Sequence, residues 1–327
     1  MKKALVSFLS KISFINKYYS GMATVFMLHR VYPFEKGRLL INEKMKVSPD
    51  FLENFILCAK SEGFKFISID ELSYILEKGI KVEKNIVITL DDGYRDNYTI
   101  AYPIFKKHKV PFTIYLTTSF PEKKAVLWWY ILEDLVLNNE ELIVGKKRYS
   151  CKTYIEKENT FLKVRNQILS LRQENLVEEL RELFHEYDIN WYAKANDLCM
   201  SWEEIRNLAE DELCTIGGHT VNHYSLNRLS KDKIIWEILE ANERIEKEIN
   251  RKVDHFAYPF GDKFTVGYRE FQIVKELNFK TAVTTRFGNI YTVHRKYKNC
   301  CLPRIMLTEN FDIKNIGKIR RRRIVTY

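Results

Sequence analysis

At 327 residues and 46% hydrophobic content, the chain is long enough to bury one enzyme-sized core with room for an insertion. Lysine and arginine number 53 against 43 acidic residues, and the resulting charge of +10 favours an anionic partner such as nucleic acid, acidic glycan or membrane surface. The six scattered cysteines form no C-x-x-C pair, which argues against a zinc knuckle or disulfide framework and for a reducing compartment, and no apolar run approaches the roughly 18 residues of a membrane span.

In chain order, residues 1–22 read as a short basic amphipathic helix. Leu5, Phe8, Leu9, Ile12 and Ile15 fall at helical spacing among Lys2, Lys3, Lys11 and Lys17. Lys11 interrupts the apolar stretch and no small-residue cleavage site follows, so a signal peptide is not expected. From residue 23 the pattern alternates short apolar runs with helical stretches, the mark of βα units and a parallel sheet. The runs are Thr24 to Leu28, Phe64 to Ile69, Asn85 to Leu90, Phe112 to Leu116, Leu213 to Ile216, Val253 to Ala257 and Thr281 to Thr284. Seven strands suggest an α/β barrel. Ser48 before Pro49, and Ser68 with Glu71 three residues on, mark helix starts, and the longest helix is expected from Lys231 to Ile249. Residues from about 122 to 199 break the alternation. They carry Trp128, Trp129, a hairpin around Gly145 and a charged helical region, and read as an insertion within a barrel unit of residues 23–312. Residues 313–327 form a basic tail with the run Lys318 to Arg323.

Three stretches carry candidate chemistry. Ile86 to Leu90 runs into Asp91, Asp92 and Gly93, and in parallel α/β folds carboxylates at the C-terminal end of a strand face the active site. An Asp-Asp-Gly is equally a turn that caps a following helix. Gly217 and Gly218, read as letting the backbone turn tightly at a strand end, precede His219 and His223. Histidines four apart stand on one face of a helical turn and suit a single metal, although such a pair alone is commonly a surface accident. His255 to Ala257 runs into Tyr258-Pro259-Phe260-Gly261-Asp262, a turn able to aim an N–H at a developing oxyanion or simply to turn. Tyr94, Trp128, Trp129 and Trp202 are flat surfaces for a sugar ring, or core aromatics.

Taken in this order, the motifs resemble those of the polysaccharide deacetylase family, which shares the NodB homology domain of carbohydrate esterase family 4. Thr89 to Gly93 is similar to its first motif, His219 to His223 to its second and Ala257 to Gly261 to its third, while Met27 to Val31 is similar to a stretch near the start of many members. The resemblance implies a distorted (β/α)7 barrel with the helical and hairpin insertion. It implies a divalent metal, zinc first with cobalt or nickel as alternatives, on Asp92, His219 and His223, with Asp91 as general base and Tyr258, Phe260 and Tyr94 beside the substrate. The Phe260 N–H would serve the oxyanion.

The sequence departs from the family where the third motif begins, because Ala257 replaces the arginine that orients the base, and the fourth and fifth motifs are not evident. Arg304 becomes the candidate to orient Asp91, or a surface arginine, and His29 the candidate acid ahead of His294. The resemblance further implies an N-acetylated glycan or lipid-linked sugar of surface polysaccharide, lipopolysaccharide or capsule assembly as substrate. A cytoplasmic enzyme resting on the anionic inner membrane face suits the two basic ends, which are otherwise solvated charge. A barrel that binds or scaffolds carbohydrate without turnover is the alternative. Nucleic acid is not expected, since no recognition motif accompanies the charge.

Overall fold

The computed structural model describes residues 21–297 and 299–311. The expected basic helix, apart from its last two residues, and the basic tail lie outside them.

Seven parallel strands close on themselves: β1 (Ala23–Leu28), β2 (Asn85–Asp92), β3 (Phe112–Leu116), β4 (Cys214–Gly218), β5 (His255–Ala257), β6 (Thr281–Phe287) and β7 (Leu302–Met306). Their spatial order follows the chain, and β1 closes the ring by pairing with β7 at Phe26↔Ile305 and with β2 from Ala23↔Asn85 to Leu28↔Leu90. Side-chain alternation divides each stave between two cores. Val25, Val87, Tyr115, Ala257, Val283 and Leu302 share one cluster. Phe26, Ile88, Leu90, Ile114 and Ile216 belong to another, with Phe55 of α1 (Pro49–Ser61), Phe105 of α2 (Tyr102–His108) and Leu208 of α3 (Trp202–Glu210). Every residue of β2 is buried, which is why it reads as an apolar run rather than an alternation.

One stave differs from expectation. The run at Phe64 to Ile69 yields only Lys65–Phe66, which pairs with the first two residues of β2 before Ser68 caps the next helix. The seventh stave is Leu302–Met306, hidden in the sequence because Pro303 and Arg304 interrupt its apolar character.

Between β3 and α3 the chain builds a second body: α4 (Trp128–Asn138), a hairpin of Glu141–Val144 with Lys147–Ser150, α5 (Tyr154–Leu169) and α6 (Leu176–Leu183). It has its own apolar core, which includes Leu132, Leu142, Phe161, Val164, Leu180 and Trp191. Buried Glu133 of α4 ties it to the chain after β1, accepting from Leu39 N at 2.6 Å and from Arg38 Nη2 at 2.7 Å.

Candidate active site

The chain segments at the C-terminal ends of the staves converge on a cavity of about 400 Å³ lined by His29 after β1, Asp91 and Asp92 of β2, His219 and His223 after β4, and Phe260 after β5. The insertion supplies part of its wall through Trp128, Trp129 and Phe161.

The two carboxylates are handled in opposite ways. Asp91 is gripped by Arg304, whose Nη1 and Nη2 donate to Oδ1 and Oδ2, each at 2.6 Å. Arg304 is itself fixed, since Nη1 also donates to Thr89 Oγ1 at 3.1 Å and Nε to the Thr284 carbonyl at 3.0 Å. That carbonyl lies in the interval where the register between β6 and β7 shifts. Burial alone would raise the Asp91 carboxyl, yet the paired guanidinium holds it below the ordinary carboxylate range. Asp92, by contrast, leaves Oδ1 buried with no hydrogen-bond partner among the described residues. It adopts a left-handed backbone at φ +78°, a costly conformation for a non-glycine residue that recurs at functional sites.

The histidines face that oxygen. His219 Nε2 lies 3.4 Å and His223 Nε2 3.3 Å from Asp92 Oδ1. His219 Nδ1 sits 2.7 Å from the Ala257 carbonyl, which can only accept, so Nδ1 carries a proton and Nε2 is the ring nitrogen turned to the carboxylate. Burial pushes the His223 imidazole down to about 4, keeping it neutral and able to ligate at ordinary pH. Donors on one tetrahedral ion with bonds of about 2.0–2.1 Å stand about 3.3 Å apart, so the spacing and the orphaned carboxylate oxygen both fit a divalent cation. The three residues are grouped closely enough to share one.

The local backbone corrects two readings. His219 and His223 do not stand on a helical turn; they lie in an irregular loop in which Thr220 and His223 take positive φ. Nor do Gly217 and Gly218 serve to turn the chain, since both lie within β4. A Cβ on Gly217 would meet the Tyr115 ring at 2.6 Å and the His255 carbonyl at 2.9 Å, so close packing demands glycine there, while one on Gly218 would displace the end of the Asn242 side chain.

A model of the family described as polysaccharide deacetylase matches residues 78–282, a span that includes both carboxylates and both histidines. The chain belongs to the polysaccharide deacetylase family. The poly-β-1,6-N-acetyl-D-glucosamine N-deacetylase of Staphylococcus aureus is 32% identical over 94 residues, which are 29% of this chain and 32% of that protein. The match thus spans about a third of that curated relative. Among solved structures, the Streptococcus pyogenes deacetylase PplD in complex with acetate superposes with a TM-score of 0.61 at 19% identity, covering 91% of this chain and 98% of that one. IcaB from Ammonifex degensii gives 0.58 at 17%, covering 91% and 97%. These likenesses show the fold, the (β/α)7 barrel expected from the motifs.

Against the family pattern, Ala257 contributes only a backbone carbonyl to the site, and the guanidinium at Asp91 comes from Arg304. His29 lines the cavity with Nδ1 buried and unpartnered among the described residues. His294 does not reach it, being buried in a short turn with Nδ1 against the Tyr291 backbone. Tyr258 is likewise withdrawn: its side chain points into the core beneath the sheet, packs against Phe256 and Phe271, and donates its hydroxyl to the Cys300 carbonyl at 2.7 Å. Phe260 stays at the site with φ +59° and its ring 4.7 Å from that of His223. Tyr94, nearly enclosed, and Trp128 and Trp129 line the cavity, with Trp129 Nε1 donating to Tyr94 Oη at 3.1 Å. Trp202 does not, since it packs on the outer helix layer beneath the Arg244 guanidinium.

Sequence reasoning missed Glu237 on α7 (Lys231–Ile249). Its buried carboxylate accepts from Val221 N at 3.1 Å, Asn222 N at 2.9 Å and Asn222 Nδ2 at 2.8 Å, pinning the loop between the two histidines. The signal was present: Ile234, Glu237, Ile238, Ala241 and Ile245 form the buried stripe of this helix, and a glutamate on such a stripe must meet a polar partner.

Proposed function

We propose that the protein is a metal-dependent carbohydrate N-deacetylase that hydrolyses the acetamido group of an N-acetylated sugar. The observation that carries this reading is the placing of two neighbouring acids in opposite states, Asp91 clamped by Arg304 and Asp92 bare before two imidazoles. Asp92, His219 and His223 would hold zinc, with cobalt or nickel as alternatives for the same donor set. When bound, such an ion supplies Lewis-acid polarisation of the amide carbonyl and lowers the pKa of water.

The remaining steps fall to the chain's own residues. Asp91, kept ionised by Arg304, takes the proton from the attacking water, and the Phe260 N–H stabilises the tetrahedral oxyanion. His29 protonates the leaving amine. The aromatic wall formed by Tyr94, Trp128 and Trp129 suits the flat faces of a sugar. The test is acetate release from a panel of N-acetylated glycans and lipid-linked sugars, with Asp91→Asn as control. Release by the wild type and its loss in the variant are expected; no release from any N-acetylated sugar would leave only carbohydrate binding.

The relative's printed substrate and the +10 charge support a place in surface polysaccharide, lipopolysaccharide or capsule assembly, with the enzyme peripheral at the cytoplasmic face of an anionic membrane. Co-sedimentation with anionic vesicles at low salt is expected, and recovery in the supernatant would contradict it.

A further inference from the structure

Arg165 stands one turn after Phe161 on α5, and both side chains line the catalytic cavity. Arg165, Phe260 and Asp262 also line a neighbouring polar compartment of about 220 Å³ whose walls include Ser225, Asn227 and Arg228. Arg165 is half-buried, yet among the described residues no hydrogen bond or ion pair engages its guanidinium. Asp262 shares the wall but turns Oδ1 to Phe264 N at 2.8 Å, Thr265 N at 3.0 Å and Thr265 Oγ1 at 3.0 Å. It exerts a Coulombic pull on Arg165 without forming an ion pair with it. The other arginine of the annexe, Arg228, is exposed.

A guanidinium drawn partly out of water normally meets a carboxylate or phosphate, whose oxygens match its planar fork. Here no carboxylate among the described residues bonds it, and the residue lines the cavity that a substrate would enter. We propose that Arg165 is a specificity-determining residue that receives an anionic group, a phosphate or a carboxylate, carried by the sugar or by the unit next to it. The proposal rests on the deacetylase reading for the position of the acetamido group at Asp91 and Asp92. It also gives the insertion a role, since the barrel acts on the amide while α5 reads the charge beside it.

The test compares kcat/KM for acetate release from a neutral N-acetylglucosamine oligomer, N-acetylglucosamine 1-phosphate and N-acetylmuramic acid. It uses the wild type, Arg165→Gln and Lys163→Gln, the last being an exposed cation on the same helix. The wild type is expected to favour one anionic substrate by about tenfold or more, mainly through KM. Arg165→Gln loses that preference and Lys163→Gln keeps it, and the favoured substrate identifies the anion as phosphate or carboxylate. An anionic-to-neutral ratio equal in wild type and Arg165→Gln overturns the proposal, as does a wild type with no anionic preference. Calorimetric binding of the three sugars is read alongside: if neither these nor the wider panel of N-acetylated glycans and lipid-linked sugars releases acetate the deacetylase reading fails, while tighter binding of an anionic sugar by the wild type than by Arg165→Gln still supports Arg165.

Discussion

The barrel and the insertion face each other across one cavity, but they are built by different rules. In the barrel the supports of the site are held, with Asp92 Oδ1 and His29 Nδ1 left open among the described residues: Arg304 is bonded to Thr284, Thr89 and Asp91, His219 to the Ala257 carbonyl, and the histidine loop to Glu237. The insertion offers the cavity aromatic faces and one unpaired guanidinium. Chemistry demands donors fixed before substrate arrives, whereas recognition demands surface left unsatisfied until it does. On the proposed function, reaction falls to the staves and selectivity to α4 and α5.

The strongest way to break that division is at the metal ligands. Asp92→Asn should abolish stoichiometric metal binding and lower acetate release by about a thousandfold or more, because the ion's share of catalysis amounts to several kcal/mol. Full turnover in this variant would remove the barrel site from the reaction.

Arg304→Met comes next. Burial opposes ionisation of Asp91 and Arg304 overrides it, so without the guanidinium the carboxyl rises and the acid limb of kcat/KM moves to higher pH. The sign for stability is the same: the carboxyl is depressed in the folded state, so the contribution is present above the ordinary carboxylate range and lost as pH falls through the lowered value. Breaking one side of this buried pair should destabilise the fold by about 3–5 kcal/mol, read from denaturant midpoints. An unmoved acid limb would mean that Arg304 does not tune the base.

How far the sequence displays all this depends on how local each feature is. The motifs that carry Asp91, Asp92, His219 and His223 are visible because each is a short run at the end of one stave, and Lys231–Ile249 because its apolar period is unbroken. The seventh stave is hidden because its proline and arginine look like loop residues, although Arg304 supplies the clamp. Tyr258 and Phe260 are two residues apart, yet one enters the core and the other the site; Tyr-Pro-x-Gly does not say which way each side chain leaves a turn. Arg165 lies in a charged helix where nothing local separates it from the solvated residues beside it.

Smaller effects sharpen the comparison. Glu237→Gln weakens the support of the histidine loop and should lower metal affinity by about 10- to 100-fold, measured by competition with a chelator. Unchanged affinity would show that the loop holds its shape without the charge. Trp129→Ala, on the insertion side, should raise KM several-fold, on the order of 0.5–1.5 kcal/mol of lost ring contact, while affecting kcat much less. If kcat falls as far as in Asp91→Asn, the wall takes part in the chemistry and the division between the two bodies fails.

The most direct test is a zinc titration of metal-stripped protein, following acetate release and bound metal together in the wild type and in Asp91→Asn. One equivalent per chain should restore turnover in the wild type and bind equally to Asp91→Asn without restoring it. Acetate release that is indifferent to chelator, or no stoichiometric binding in the wild type, would contradict the assignment of Asp92, His219 and His223 to the metal and of Asp91 to the water.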